Sequence, residues 1–406
     1  MHPSWDIRGT KGRELEGRRI VLCITGSVAA VKSPELAREL MRHGADVRAV
    51  MSDKATELIT AQLMHWATGN EVVTRLTGRI EHVELARWCD LVLVAPATAN
   101  TIGKIAWAID DTPVTSVVSV AFGLRKPVVL VPAMHGSMYE HALFRENLAK
   151  LRSSGVHLVE PVIEEGKAKL AEVDKIVHRV IGILGPKDMT DMKVLVTAGP
   201  TIEPIDPIKM ITNRSSGKMG IEVARAASFR GAEVTLIYGP GTEAPPSEVK
   251  VVRVWTTKEM CDAFERELGS LPDVIVSAAA AQDFMVEHPA KQKLRNTKPP
   301  ILKLVRAPRI LDNARDRVPN AFIVGFKAEY GVTDEELVSI ARSKLEGHGL
   351  DMVVANDISR PGAGFGTETN EVVMVSSDRV KFVRSTKAEI AKIILDAAVS
   401  KLRDRR

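Results

Sequence analysis

Cysteine is scarce: Cys23, Cys89 and Cys261 are the three thiols in 406 residues. So few and so scattered, they exclude a disulfide framework and a cysteine-built metal site, and those in apolar runs read as small buried hydrophobes. Aromatics amount to 4%, too few for a base-stacking platform. With no helix-turn-helix, zinc-finger or RNP-type pattern either, nucleic acid is not an expected partner. Long apolar runs are missing as well. Val21–Thr25 and Leu91–Ala95 are of strand length, far short of the roughly 20 residues that span a bilayer, so no membrane partner is expected. Met1–Arg19 is charged and has no apolar h-region, which makes a cytoplasmic location the expectation.

What is present suits large soluble cores. Hydrophobic residues make up 45% and charged residues 26%, with a formal net charge of +5. That modest positive charge suits acidic small molecules or polyanions. The length exceeds one ordinary domain of about 100–200 residues, so two or three are expected. Strand-like and helix-like runs alternate almost throughout, the grammar of a parallel sheet wrapped by helices. That grammar starts twice, at Arg19–Thr25 followed by Gly26-Ser27, and at Lys193–Thr197 followed by Ala198-Gly199-Pro200. Each half also repeats one helix-stop-strand device, Arg42-His43-Gly44-Ala45-Asp46-Val47 and Phe229-Arg230-Gly231-Ala232-Glu233-Val234. The expected fold is α/β with two doubly wound Rossmann-like domains, over 1–188 and 189–406, the boundary falling near Gly185–Asp191.

In open parallel sheets ligands bind beyond the carboxyl ends of the strands, where helix N-termini offer free N–H groups to phosphate. The turn Thr25-Gly26-Ser27-Val28-Ala29-Ala30 occupies that position but lacks the G-x-G-x-x-G dinucleotide fingerprint, so it suits a mononucleotide phosphate better than NAD. It reads equally as a plain turn with an N-cap serine. Further along, Leu91–Ala95 ends in Pro96-Ala97-Thr98-Ala99-Asn100-Thr101, and Pro127–Val131 ends in Pro132-Ala133-Met134-His135-Gly136-Ser137-Met138-Tyr139. The run His82-Val-Glu-Leu-Ala-Arg-Trp-Cys-Asp-Leu-Val-Leu-Val-Ala-Pro-Ala-Thr-Ala-Asn100 resembles the active-site segment of the flavin-dependent cysteine decarboxylases. Pro132-Ala-Met-His-Gly-Ser-Met138 resembles their substrate-clamp loop. This resemblance implies a flavodoxin-like N-terminal domain with FMN held by Gly26, Ser27, Val28, Ser52, Ala97, Thr98 and Asn100. His82 would be the acid/base or orienting group, and His135 would contact the substrate carboxylate. A cysteinyl carboxylate has no electron sink of its own, and oxidation of the thiol by flavin would supply one.

Two departures from that family stand out. His135 occupies a position usually held by Asn, so its charge there depends on pH. The family's protonating cysteine, in an Ala-Cys-Gly-Asp motif, has no counterpart in Glu160-Pro-Val-Ile-Glu-Glu-Gly-Lys-Ala-Lys169. The chain in this respect resembles the archaeal branch, with Lys167 or Lys169 as replacement proton donors or simply as solvated charges.

In the second half Ser215-Ser216-Gly217-Lys218 invites a P-loop reading, which fails because Thr212 and Met219 stand where Gly and Ser/Thr are required. A helix N-terminus with Lys218 remains, a phosphate cradle by dipole and charge or an ordinary capped helix. Ala198-Gly-Pro-Thr201, Asp206-Pro207, Asn213-Arg-Ser-Ser-Gly-Lys-Met-Gly220, Gly325-Phe-Lys-Ala-Glu329 and Ala355-Asn-Asp357 resemble the phosphopantothenate–cysteine ligase segment of the bifunctional coenzyme A biosynthesis family. Order and spacing agree over about residues 18–400. The resemblance implies a C-terminal ligase domain that activates 4′-phosphopantothenate with CTP as an acyl-cytidylate, which the amine of cysteine then attacks. Asn213 would hold that intermediate and Lys291 would act in the transfer. Substrate and nucleotide would be contacted by Lys209, Ser277, Ala278, Ala279, Asp283, Lys291, Pro308, Arg309, Ile310, Leu311, Phe326, Lys344 and His348. Lys209 stands in place of an Arg, which forgoes bidentate phosphate binding. Mg2+ is expected with the nucleotide phosphates, its protein ligands unassigned.

Together these imply a bifunctional enzyme that makes 4′-phosphopantothenoylcysteine and then decarboxylates it to 4′-phosphopantetheine. The family resemblance also implies a homo-oligomer, with ligase dimers and decarboxylase trimers combining in an assembly such as a dodecamer. Two other readings are a non-catalytic regulatory flavoprotein first half beside an active ligase, and an NAD-dependent oxidoreductase.

Overall fold

Short aliphatic runs form the strands. In the computed structural model, which describes residues 2–246, 249–295, 300–364 and 366–405, internal contacts divide the chain into two units, Met1–Pro186 and Lys187–Arg406. The first is built on β1 (Arg19–Ile24), β2 (Asp46–Met51), β3 (Val72–Val73), β4 (Leu91–Ala97), β5 (Val128–Pro132) and β6 (His157–Leu158). They pair in the order β3-β2-β1-β4-β5-β6, all parallel. Every residue of β4 and β5 is buried, as expected of strands covered on both faces. Successive side chains point to opposite faces. Val21, Cys23, Val92 and Val94 meet Leu85 of the helix Glu81–Trp88 and Val117 of the helix Pro113–Gly123. The helices Ser33–Arg42 and Val173–Leu184 pack on each other. Flavodoxin itself has the order 2-1-3-4-5, so the likeness here lies in the layered α/β/α architecture and not in strand order.

The second unit repeats the plan with β7 (Lys193–Ala198), β8 (Glu233–Tyr238), β9 (Lys250–Arg253), β10 (Val274–Ser277), β11 (Phe322–Glu329), β12 (Met352–Asp357), β13 (Thr369–Val375) and β14 (Val380–Thr386). Their order is β9-β8-β7-β10-β11-β12-β13-β14, parallel as far as β12 and closed by two antiparallel strands. One face is covered by the helices Lys218–Phe229 and Lys387–Asp404 through Ile221, Ala224, Ile390 and Ile394. The other is covered by Thr257–Leu268 and Asp334–Gly347 through Met260, Phe264, Leu337 and Ala341. The repeated stop device is a helix end that turns through a left-handed glycine, Gly44 at φ 99° and Gly231 at φ 89°. Gly220 lets the first helix of this unit lie on the sheet, because a Cβ there would come within 2.4 Å of Ala198 Cβ.

Candidate active sites

In both sheets strand order reverses beside the first strand, between β1 and β4 and between β7 and β10, and crevices open at such reversals. A threonine fastens each one. Thr25 is 1% exposed. It donates from Oγ1 to Pro96 O at 2.7 Å and accepts from Thr98 N at 3.0 Å. Thr197 Oγ1 donates to Ser277 Oγ at 3.4 Å and accepts from Ala279 N at 3.4 Å. Neither threonine carries a local sequence signature of this role. Their role depends on a strand some 70–80 residues away, which no local pattern reports.

Around the first crevice Ser27 caps Val28–Lys32, Ser52 caps Asp53–Thr56 and Thr98 caps Ala99–Ala106. The expected flavin residues Gly26, Ser27, Val28, Ser52, Ala97, Thr98 and Asn100 thus sit at the ends of β1, β2 and β4. The cap reading of Ser27 holds at the same time, since its Oγ accepts from Ala29 N at 3.4 Å. Gly26 allows close backbone approach, as a Cβ would lie 2.5 Å from Lys54 Cβ. His82 is the second residue of the helix that leads into β4, and its Nδ1 is buried with no hydrogen-bond partner. Buried polar atoms are rarely left so, and a bound polar ligand would satisfy it.

The segment lacking the family cysteine folds as a hairpin. Val162–Glu164 pairs with Lys167–Lys169 through a two-residue turn, Glu165 and Gly166, with φ of 50° and 70°, the type I′ geometry that suits strand twist. Lys167–Lys169 also pairs with Met134–His135, Lys167 opposite His135, and Gly136 N donates to Gly166 O at 2.8 Å. The hairpin is therefore laid against the clamp loop. Lys169 is bound to Glu164 at 2.8 Å and Glu165 at 2.9 Å, which raises its pKa. His135 is exposed, and its Nδ1 lies 2.9 Å from Ser137 Oγ.

The second crevice opens into a cavity of about 1170 Å³. Its lining brings together Asn213, Ser277, Ala278, Ala279, Asp283, Pro308, Arg309, Ile310, Leu311, Phe326, Lys344 and His348 from the sequence-derived set, with Lys218 beside them. Asn213 Nδ2 donates to Ala280 O at 3.1 Å and Ala281 O at 3.2 Å, which fixes its amide across the end of β10. Lys344 donates to Phe326 O at 2.7 Å. Burial, then the neighbouring Lys327 and Arg309, push its pKa down to about 8, against the opposing pull of Asp283. Burial, Lys344 and Arg309 likewise lower the pKa of His348. A cluster of cations held this close together suits a polyphosphate. Gln282, which also lines the cavity, has a buried Nε2 with no partner.

Two expected ligase residues lie outside this lining. Lys209 turns to Asp206, with Nζ at 3.0 Å from its carboxylate and 3.2 Å from Leu294 O. Asp206 is buried, accepts backbone N–H bonds from Ile208, Lys209 and Leu294, and has its pKa held far below the usual carboxylate range by them. Lys209 is thereby tied into a structural turn. Lys291 is exposed on a bend. Arg306 and Lys387 line the cavity without having been marked by sequence reasoning, and Lys327, quoted in the Gly325–Glu329 motif without a role, lines it too.

The two units match two families in succession: Flavoprotein over residues 8–185, and DNA/pantothenate metabolism flavoprotein C-terminal domain over 189–402. The molecule is thus a flavoprotein of two α/β units. The coenzyme A biosynthesis bifunctional protein CoaBC of Thermococcus kodakarensis is 51% identical over 402 residues, covering 98% of both chains. That of Methanocaldococcus jannaschii is 37% identical over 398 residues, 98% of this chain and 97% of its own. That of Vibrio parahaemolyticus is 36% identical over 381 residues, 90% of this chain and 93% of its own. The chain belongs to the coenzyme A biosynthesis bifunctional protein family, and the archaeal type read from its sequence fits the Thermococcus relative. Among the described residues no helix is long and apolar enough to cross a membrane.

Proposed function

We propose that the chain performs two consecutive steps of coenzyme A biosynthesis. Lys187–Arg406 condenses 4′-phosphopantothenate with cysteine at the expense of CTP, through an acyl-cytidylate. Met1–Pro186 then decarboxylates 4′-phosphopantothenoylcysteine to 4′-phosphopantetheine with FMN. The observation that carries the reading is the single cavity that gathers Asn213, the ends of β10 and β11 and the cations Arg309, Lys344 and Lys218. Within it Asn213 orients the activated acyl group, and Arg309 and Lys344 offset charge on the triphosphate, catalysis by position and electrostatics. Mg2+ enters with the nucleotide phosphates.

The residues of the first crevice fit a flavin mononucleotide. Three hydroxyl-capped turns, Ser27, Ser52 and Thr98, surround the reversal point, Gly26 admits backbone approach, and the unpartnered Nδ1 of His82 awaits a polar ligand. Bound flavin supplies a reversible two-electron oxidation of the substrate thiol, without which loss of CO2 has no electron sink. His82 orients the substrate thiol and carboxylate or moves a proton there. His135 donates to the carboxylate, and the hairpin Val162–Lys169 backs the loop that carries it. Of the two lysines in that hairpin, Lys167 is the better proton donor, since Lys169 is committed to two glutamates.

The non-catalytic reading of the first half is not favoured, because the full-length relatives are named as bifunctional biosynthesis proteins. An NAD enzyme is disfavoured by the Flavoprotein match. A cytoplasmic homo-oligomer, built from ligase dimers and decarboxylase trimers, completes the proposal, and light scattering on purified protein measures it. The decisive assay supplies 4′-phosphopantothenate, cysteine, CTP and Mg2+ to the purified protein, whose absorbance should show flavin. Pyrophosphate release followed by CO2 release is expected, and His82→Asn should lose the second while keeping the first. A wild type that releases no pyrophosphate, or no CO2, refutes the corresponding half.

A further inference from the structure

One charged side chain of the second unit is buried without a counter-ion. Lys387, first residue of the helix Lys387–Asp404, is 5% exposed and lines the ligase cavity. Among the described residues it makes no ion pair, and Nζ has only the carbonyl of Gly364, at 3.5 Å, the outer limit of a hydrogen bond. An ammonium left so is unfavourable, since burial removes its hydration and nothing replaces it. Its pKa is lowered by burial first and by Lys218 next, against Glu368, Glu243 and Glu222, so these groups act on one another.

The nearby acids do not satisfy it. Glu222 is held by Arg225 at 2.6 Å. Glu243 contributes its carbonyl to Tyr238 and acts on Lys387 only through its charge. Glu368 is paired with Lys218, but its side chain is 80% exposed whereas that of Lys218 is 13% exposed. A nearly solvated carboxylate thus sits over a mostly buried cation, where it is easily displaced. Lys218 opens a twelve-residue helix whose N-cap, Gly217, has no side chain; Ser216 Oγ accepts from Lys218 N at 3.3 Å, and the next N–H groups of the first turn stay open to a ligand. The backbone of Gly364 and Gly366 completes the wall, its loop held by Asn356 Nδ2 donating to Ala363 O at 3.0 Å. Lys218 and Lys387 come from the two helices on one face of the sheet, whereas Lys344 comes from a helix on the other. The cavity therefore has two separate cationic ends. Lys344, Lys327 and Arg309 suit a polyphosphate, and two lysines beside one helix N-terminus suit a single phosphate.

We propose that Lys387 and Lys218 bind the phosphate monoester of the acid substrate, and that Glu368 occupies Lys218 until that phosphate displaces it. The proposal rests on the condensation reading above. The full-length protein is tested as wild type, Lys387→Met, Lys387→Arg and Glu368→Gln. Pyrophosphate release gives KM for 4′-phosphopantothenate and for CTP, and equilibrium dialysis gives the affinity for inorganic phosphate. Lys387→Met should raise KM for 4′-phosphopantothenate about tenfold or more, as expected for loss of a charged hydrogen bond, while leaving KM for CTP and kcat nearly unchanged, and Lys387→Arg should restore much of the loss. Glu368→Gln, an exposed change that spares folding, should tighten inorganic phosphate several-fold. An unaltered KM for 4′-phosphopantothenate in a folded Lys387→Met, a rise confined to CTP, or weaker phosphate binding in Glu368→Gln overturns the proposal. Should the wild type release no pyrophosphate, the condensation reading fails on its own, and phosphate binding by the same variants still decides the anion site.

Discussion

Lys344 shows how a single side chain links burial to function. With its pKa pushed down to about 8, it is an ammonium below that pH and loses its charge as pH rises through it. The free enzyme's kcat/KM for CTP should therefore fall on the alkaline side of about pH 8. In Lys344→Arg, which keeps its charge, that limb should disappear; a limb that persists assigns the titration elsewhere. Residue identities at the strand ends were legible in the sequence because glycine, serine and asparagine after an apolar run have few other uses there. Commitments of side chains were not. Lys209 and Lys169 look like free cations in sequence, yet one is drawn into the buried Asp206 turn and the other into a glutamate pair. Nothing in the local sequence marks Lys387 as buried, yet it is.

At the scale of elements, periodicity revealed both starts of the α/β pattern, and each became the first strand of a parallel sheet. In sequence the segment Val162–Lys169 stands out for its missing cysteine and its two lysines, although Glu165-Gly166 suits a tight turn. Its pairing with Met134–His135 is non-local and has no sequence signature. Gly136 is the contact point, where a Cβ would meet the carbonyl oxygen of Gly166 at 2.4 Å. Gly136→Ala must push the hairpin from the clamp loop, and decarboxylation should fall on the order of tenfold to a hundredfold, as misplaced reacting groups do. Pyrophosphate release measured on the same preparation should not change; equal loss of both would mean general unfolding instead.

For the whole molecule, the two units have separate cores and separate strand-end crevices. Expressed apart, Met1–Pro186 and Lys187–Arg406 should each fold, with cooperative thermal transitions. The second should release pyrophosphate with no yellow chromophore present. A second unit that requires the first in order to fold would show that the division by contacts is not a division of stability.

This separation reaches into nutrition. A cell short of riboflavin would still run the condensation, which needs no flavin, while the step that consumes its product stalled. The cysteine adduct would then pool behind the idle half, and restoring the vitamin would release it without new synthesis of either activity.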